Sequence, residues 1–365
     1  MSLRDQRQKE FAKIWLNSGS YGILNLCPRF GKIYTTINIL EHLKDDISIL
    51  IAYPDVKIKD SWEEDFETRG YKNPNITYTT HLSLHKHTDV HYDMIIIDEI
   101  HLLSDAQMDA CKQVMKAAKT VLGLTGTLST WTESELEQRL QLPVICNYSI
   151  DQAIQEGVIV DYQITVLKVP LDNQVIQPIK GKNRTEKKHF DATTWVIDKL
   201  DKEGKNTMML RLKRMRIIQN SIAKLALTRQ LLQKYNDQRV LVFCGTTDMA
   251  DNLGIPSHHS KSSDKEAFKK FAEGEGNHMA VVKIGNTGVT YKPLNKVVLN
   301  YFDSNAENLA QKVNRCMAME YNNPDKKADI YIISTDEPVE EKWLNKALEF
   351  FDKEKIRVVN VTRNS

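Results

Sequence analysis

What this chain lacks narrows its class before any motif is read. Its five cysteines, Cys27, Cys111, Cys146, Cys244 and Cys316, are scattered and form no CxxC pair, which argues against a zinc module and against a disulfide framework. No apolar run approaches membrane-spanning length, and the first residues, Met1-Ser2-Leu3-Arg4-Asp5-Gln6, lack a signal peptide's apolar segment. A reducing, cytoplasmic location with no membrane partner is the expectation. Net charge is also small, at +2, but it is unevenly placed. Residues 165–235 carry 16 Lys and Arg against 6 Asp and Glu, so this stretch is either a docking surface for a polyanion or a solvated, lysine-rich helical linker. At 365 residues the chain exceeds the usual size of one hydrophobic core, and two domains are expected.

What is present is organised around Asp93-Met94-Ile95-Ile96-Ile97-Asp98-Glu99-Ile100-His101. An apolar run that ends in two carboxylates and a histidine reads as a buried parallel strand delivering charge at its carboxyl end, where open α/β sheets bind ligands. Two adjacent acids there suit two tasks, one holding a hydrated magnesium ion and the other orienting a water for attack on a phosphoryl group. The alternative is a strand running into an acidic helix start. A phosphate cradle elsewhere in the chain would decide between them.

A candidate cradle lies upstream. Residues 3–17 place Phe11, Ile14 and Trp15 on one helical face, Asn17-Ser18-Gly19-Ser20 breaks that helix, and Tyr21–Cys27 reads as a short apolar strand. Pro28-Arg29-Phe30-Gly31-Lys32 then leads into a helix-like run from Ile33 to Leu43. Strand, glycine turn, lysine and helix is the layout that gathers backbone N–H groups and an ammonium around phosphates. The full P-loop pattern is not met: Leu26 stands where its first glycine is expected, and Ile33 where Ser or Thr should follow the lysine. Further strands are expected at Ile47–Tyr53, Asn75–Thr80, Asp93–Ile97 and Thr120–Thr127, with a helix over Asp105–Lys119. Strands alternating with helices indicate a doubly wound parallel sheet.

The ordered set Gly31-Lys32, Asp98-Glu99-Ile100-His101 and Leu124-Thr125-Gly126-Thr127 resembles motifs I, II and III of superfamily 2 helicases. It is closest to the DExH branch related to restriction-enzyme translocases and to phage and viral helicases. Gln8-Lys9-Glu10-Phe11 resembles the adenine-reading glutamine motif, with Gln6 as a rival for Gln8. Tyr53-Pro54 resembles motif Ia, which touches the nucleic-acid backbone, and Tyr148–Ile159 resembles the segment that leaves the first lobe.

The second half continues the pattern. Residues 171–207 are polar and weakly patterned, and are expected as an insertion or loop. Arg211–Tyr235 reads as one basic amphipathic helix with a stripe of Ile217, Ile218, Ile222, Leu225 and Leu232. Arg239–Cys244 opens a second α/β alternation, in which Gly245-Thr246-Thr247 resembles motif IV. Gly285–Thr290, with Thr287 and Gly288, resembles motif V, and Asn308–Arg315 resembles the arginine-finger helix of motif VI. That motif's usual glycine is Asn314 here, and its second arginine is Ala318. His258 and His259 have no further ligands at suitable spacing for a metal.

The resemblance implies two tandem RecA-like domains, each a mostly parallel sheet with helices on both faces. The expected domains are residues 1–165, a basic linker or insertion with the leading helix of the second lobe over 166–235, and residues 236–365. It implies an ATP-dependent helicase or translocase, on DNA rather than RNA, that unwinds or remodels branched or duplex substrates in replication, recombination or repair. Protein partners from those processes would be expected, and a host cytoplasm if the source is viral. Lys32, Glu99, Gln311 and Arg315 would be catalytic. ATP would be held by Gln8, Pro28, Arg29, Phe30, Gly31, Lys32, Ile33, Asp98 and Gly288, with Asp98 on Mg2+. His101, Thr125, Gly126 and Thr127 would couple nucleotide state to a strand bound by Tyr53, Pro54, Thr246 and Thr287. The alternative is a nucleic-acid clamp, annealer or regulatory subunit with a weakened or lost ATPase.

Overall fold

The computed structural model describes residues 2–44, 46–179, 182–262, 266–282, 291–292, 294–318 and 326–361, and the account below concerns those residues. The chain divides into two compact units, Met1–Val160 and Asp161–Ser365.

The first unit runs α1 (Leu3–Asn17), β1 (Tyr21–Leu26), α2 (Lys32–Leu40), β2 (Ile49–Tyr53), α3 (Ile58–Arg69), β3 (Ile76–Thr80), β4 (Met94–Ile97), α4 (Asp105–Lys116), β5 (Thr120–Thr125), α5 (Thr130–Leu140), β6 (Val144–Tyr148) and α6 (Ile150–Gln155). Its strands form one sheet in the order β3-β2-β4-β5-β1-β6, with every pairing parallel. The apolar runs Ile49–Tyr53 and Met94–Ile97 are buried along their whole length, as strands covered on both faces must be. Ile95 and Ile97 pack with Met108, Cys111 and Val114 of α4 and with Leu136 and Leu140 of α5. Capping boxes of Ser104 with Gln107 and Ser149 with Gln152 start α4 and α6, each satisfying helix donors that would otherwise be orphaned. In the middle of the sheet, Ile97 pairs with Gly123 and Asn25 with Thr125, so the carboxyl ends of β4, β5 and β1 lie side by side.

The second unit runs β7 (Tyr162–Val169), β8 (Gln177–Ile179), β9 (Lys182–Arg184), α7 (Glu186–Lys202), α8 (Met208–Gln219), α9 (Ile222–Lys234), β10 (Val240–Cys244), α10 (Thr247–Asn252), β11 (Ser257–His258), α11 (Glu266–Glu273), β12 (His278–Val282), β13 (Lys296–Leu299), α12 (Ala306–Val313), β14 (Ala328–Thr335), α13 (Pro338–Ala347) and β15 (Ile356–Asn360). Seven strands form a second parallel sheet in the order β11-β12-β10-β13-β14-β7-β15, while β8 and β9 make a separate antiparallel pair. The two sheets and their helices are the tandem RecA-like architecture.

The structure corrects two expectations in this half. Residues 171–207, expected as an insertion or loop, contain the β8–β9 pair and the 17-residue helix α7. Thr185 caps α7 by accepting from the Lys188 N–H at 3.3 Å, and the helix buries Phe190, Thr193 and Ile197. A threonine inside that stripe dilutes the helical pattern in the sequence. The single helix expected over Arg211–Tyr235 is two helices, because Ser221 acts as the N-cap of α9 and accepts from the Lys224 N–H at 3.4 Å. Strand β7 begins at Tyr162, ahead of the boundary expected at residue 165, and pairs with β14 and β15 inside the second sheet.

Candidate active site

The carboxyl ends of β1, β4 and β5 carry the residues that the sequence singles out in the first unit. After β1 the chain turns through Pro28, Arg29 and Phe30 into Gly31, which is the N-cap of α2 at φ 98° and ψ 59° and offers no side-chain cap. The first N–H groups of an α-helix have no partner within it, so α2 opens with donors directed at the turn and with Lys32 beside them. A Cβ on Gly31 would lie 2.5 Å from Gln8 Nε2. Gly31→Ala is therefore expected to lower stability by about 1–3 kcal/mol through left-handed backbone strain and to weaken nucleotide binding. Thermal unfolding with and without ATP checks both effects.

Gln8 is fully buried, and its Nε2 donates to the Phe30 carbonyl at 2.9 Å. Its Oε1 is a buried acceptor with no partner among the described residues. Gln6, the rival for this role, is exposed. Phe30 itself is a packing residue, with its ring 5.3 Å from Phe11 and 5.0 Å from Tyr148. Pro28 lies under Gly126, where a Cβ would come within 3.1 Å of Pro28 Cγ. That close approach ties the turn after β1 to the Thr-Gly-Thr segment after β5. The hydroxyls of Thr35 and Thr36 bond to the carbonyls of Gly31 and Lys32, at 3.3 and 3.1 Å, so neither replaces the hydroxyl that Ile33 lacks.

Lys32 reaches across to the end of β4. Its ammonium is in hydrogen-bond contact with Glu99 Oε1 and lies 3.9 Å from Asp98 Oδ1. Burial disfavours this ammonium, but the two carboxylates outweigh burial and raise its pKa. One cation cannot fully neutralise two adjacent buried acids. Burial, with Glu99 adding to it and Lys32 only partly offsetting it, pushes the Asp98 carboxyl up to about 6. Burial acts on Glu99 in the same direction, but its contact with Lys32 prevails and holds it below the ordinary range. Glu99 sits at φ 49° and ψ 49°, a left-handed conformation uncommon for a residue other than glycine and of a kind that clusters at functional sites.

Two buried side chains that sequence reasoning did not single out complete this pair. Trp62 Nε1 donates to Asp98 Oδ2 at 3.1 Å, and His81 Nε2 bonds the Asp98 carbonyl at 2.9 Å. Burial lowers His81 to about 4, so the ring is neutral at neutral pH and this nitrogen is the donor. The position of His81, directly after strand β3, was the available signal, since it too stands at a strand's carboxyl end.

His101 is likewise lowered to about 4 by burial. Its Nδ1 lies 2.8 Å from Thr125 Oγ1, which in turn donates to the Thr127 carbonyl at 3.1 Å. A hydroxyl has one proton, so the histidine Nδ1–H must be the donor in that pair. Glu99, His101, Thr125 and Thr127 thus form a continuous polar chain, with Glu99 Oε2 3.5 Å from Nδ1.

The remaining expected residues lie at the end of β2 and in the second unit. Tyr53 is buried, its ring 6.4 Å from that of Tyr78, while Pro54 is half-buried. In the second unit, Gln311 and Arg315 are one helical turn apart, on α12 and on the 3-10 turn Asn314–Cys316 that follows it. Arg315 is buried and Gln311 half-buried. Asn314 donates to the Ala310 carbonyl at 2.6 Å. Thr246 caps α10 and donates to Asn220 Oδ1. Thr287 and Gly288 lie outside the described residues.

A glycine turn at an uncapped helix start, a lysine and an Asp-Glu pair on one parallel sheet, followed by a second parallel sheet of the same kind, are the layout of a nucleoside-triphosphate hydrolase with tandem RecA-like units. Residues 3–130 match the family model of the type III restriction enzyme res subunit, and residues 223–319 match the helicase conserved C-terminal domain. The chain belongs to helicase superfamily 2, a class of ATP-hydrolysing enzymes. It is 24% identical over 323 residues to the DNA 3'-5' translocase XPB2 of Sulfurisphaera tokodaii, covering 79% of this chain and 72% of that one. Among solved structures it resembles the ATP-dependent type ISP restriction-modification enzyme LlaBIII bound to DNA, with a TM-score of 0.64 and 13% identity over the whole of this chain but 32% of that one. It also resembles S. cerevisiae Dbp5 bound to RNA and ADP BeF3, with a TM-score of 0.64 and 11% identity over 99% of this chain and 94% of that one. Among the described residues, no helix is long and apolar enough to cross a membrane.

Proposed function

We propose that this chain is an ATP-driven translocase or helicase acting on DNA, which moves along one strand and displaces or remodels its duplex or branched partner. The observation that carries the reading is the Lys32–Glu99–Asp98 cluster at adjoining strand ends beside the uncapped start of α2. The choice of DNA is supported by the relatives named for DNA, against one structural neighbour bound to RNA.

The residues present fit ATP and a magnesium ion. The orphaned Gln8 Oε1 is an acceptor suited to the amino group of adenine. The N–H groups at the start of α2 suit a triphosphate. The surplus negative charge of the Asp98–Glu99 pair suits a divalent cation. Among the described residues no set of three or more His, Cys, Asp or Glu side chains would hold a metal unaided, so Asp98 would share the ion with phosphate oxygens and water. When bound, that ion supplies neutralisation of phosphate charge.

This chain's own residues do the rest. Lys32 moves from Glu99 to the β- and γ-phosphate oxygens, which frees Glu99 to orient the attacking water. Trp62 and His81 hold Asp98 in place, and His101 with Thr125 and Thr127 transmits the state of Glu99 to the end of β5. Arg315 would supply positive charge to the γ-phosphate in the transition state, and Gln311 a neutral amide hydrogen-bond donor.

A phosphate-release assay run without nucleic acid, with single-stranded DNA and with matched RNA tests the reading. Stimulation by DNA above RNA is the expected result. No stimulation by either would favour the clamp or regulatory alternative, which Ile33 and the engaged hydroxyls of Thr35 and Thr36 support.

A further inference from the structure

Within the stretch where positive charge is concentrated, helix α7 has two contrasting faces. One is buried: it carries Phe190, Thr193 and Ile197, and Phe190 packs with Leu171 and Ile218. The other carries Trp195, which is 65% exposed, although tryptophan is highly buried on average. Lys188, Trp195, Lys199 and Lys202 stand at i, i+7, i+11 and i+14, which places them within about 60° of arc and along about 21 Å of helix. All four are exposed.

The acids of α7 do not neutralise this stripe. Glu186 is buried and accepts from the N–H groups of Asp172 and Ile222 at 2.7 and 3.1 Å. Asp191 is paired with Lys187 at 2.7 Å, and Asp201 with Arg211 at 2.5 Å. Burial lowers the pKa of Arg214, and the charge of Asp198 counters part of that, so Asp198 acts on a cation of α8. Among the described residues none of Lys188, Lys199 and Lys202 is ion-paired. The Lys199 ammonium lies over the Trp195 ring, 5.7 Å from its centroid, near the outer limit of about 6 Å for such a contact.

An exposed indole among unpaired lysines suits a polyanion that also offers a flat ring. Single-stranded nucleic acid has both, since every base has a face to stack on an aromatic side chain and every linkage a phosphate for a cation. A duplex keeps its bases stacked on one another. A membrane surface calls for an apolar helix face, and the apolar face of α7 is turned into the protein.

We propose that Trp195, Lys188, Lys199 and Lys202 form a binding face for single-stranded nucleic acid, on which one unpaired base stacks against the indole while the lysines meet the flanking phosphates. The inference rests on the proposed function, and deepens it by assigning strand contacts to a helix outside the motifs.

The test uses the full chain and a fluorescently labelled single-stranded oligonucleotide, with binding followed by anisotropy across a salt series. Trp195→Ala should weaken binding by about 5- to 150-fold, the range for one lost stacked base, with the salt slope unchanged, and Trp195→Phe should restore most of it. Lys188→Gln/Lys202→Gln should instead make the slope of log affinity against log salt shallower by about 1.4, from about 0.7 per lost contact on a single strand. This second variant keeps the test open if melting shows that Trp195→Ala misfolds. Lys112→Gln/Lys116→Gln makes the same change in net charge on α4 and should leave the slope unaltered. Blunt duplex should bind Trp195→Ala as it binds the parent, and turnover without nucleic acid should be the same in every variant. Unchanged single-strand affinity in Trp195→Ala, an equal loss on blunt duplex, or an equal slope change in the α4 variant would overturn this inference while leaving the proposed function standing. So would Trp195-dependent binding to phosphatidylserine vesicles with oligonucleotide binding intact. A wild-type chain that bound no strand would overturn both.

Discussion

Glu99→Gln is expected to lower nucleic-acid-stimulated ATP turnover by about 10²–10⁴-fold, the range associated with a positioned acid or base, while leaving ATP affinity within a few-fold of the parent. The substitution keeps the size and shape of the side chain and keeps an acceptor for Lys32, so neither the left-handed backbone at φ 49° nor the contact between the two residues need be lost. What it removes is the charge that orients an attacking water. Lys32→Ala removes binding energy as well: it takes away the ammonium that would hold the phosphates and leaves Asp98 and Glu99 buried together with no cation in contact. It should lower affinity and turnover, so only the glutamine variant isolates the chemical step. Phosphate release at saturating ATP, alongside binding of a fluorescent ATP analogue, separates the two. Turnover in Glu99→Gln equal to that of the parent would remove Glu99 from the catalytic role and return the Asp-Glu pair to an acidic strand end.

How far this site was legible in the sequence depended on distance along the chain. Lys32 and the Asp98-Glu99 pair were visible because each follows its own apolar strand, and a parallel sheet aligns strand ends with no further information. Trp62 and His81 were not visible as site residues. Their contacts with Asp98 span 36 and 17 residues, and nothing local marks a tryptophan in an acidic helix as a carboxylate partner. For Tyr53 a motif resemblance suggested a nucleic-acid path, and its place at the end of β2 beside Tyr78, which buries the ring, was not visible in the sequence. In the second unit, β7 pairs with strands that begin at Ala328 and Ile356. Its place in the sheet is settled by partners far along the chain, and the division at Val160 follows from that pairing. Helix α7 was hidden by composition, since Lys, Asp and Thr outnumber the apolar residues that it buries.

Lys224→Met is expected to destabilise the second unit by about 3–5 kcal/mol, the cost of leaving a buried carboxylate without its partner. Lys224 and Glu340 are 1% and 2% exposed, and the ammonium contacts Glu340 Oε1. Glu340 Oε2 accepts from the Thr335 N–H and hydroxyl at 2.7 and 2.6 Å. One carboxylate thus joins α9, the end of β14 and α13, and α13 packs against α12, the helix that leads to Arg315. Lys224→Met/Glu340→Gln removes both charges while keeping acceptors for Thr335, and should recover most of the loss, since replacing a buried pair with neutral groups of similar volume is often close to neutral. Urea denaturation followed by circular dichroism measures both variants. The distinction also bears on the motor: if α13 holds α12 in place, the single variant should lose stimulated turnover at temperatures below its own unfolding, and the double variant should regain it. A single variant within about 1 kcal/mol of the parent would mean that Glu340 is neutralised another way, because an uncompensated buried charge costs more than that.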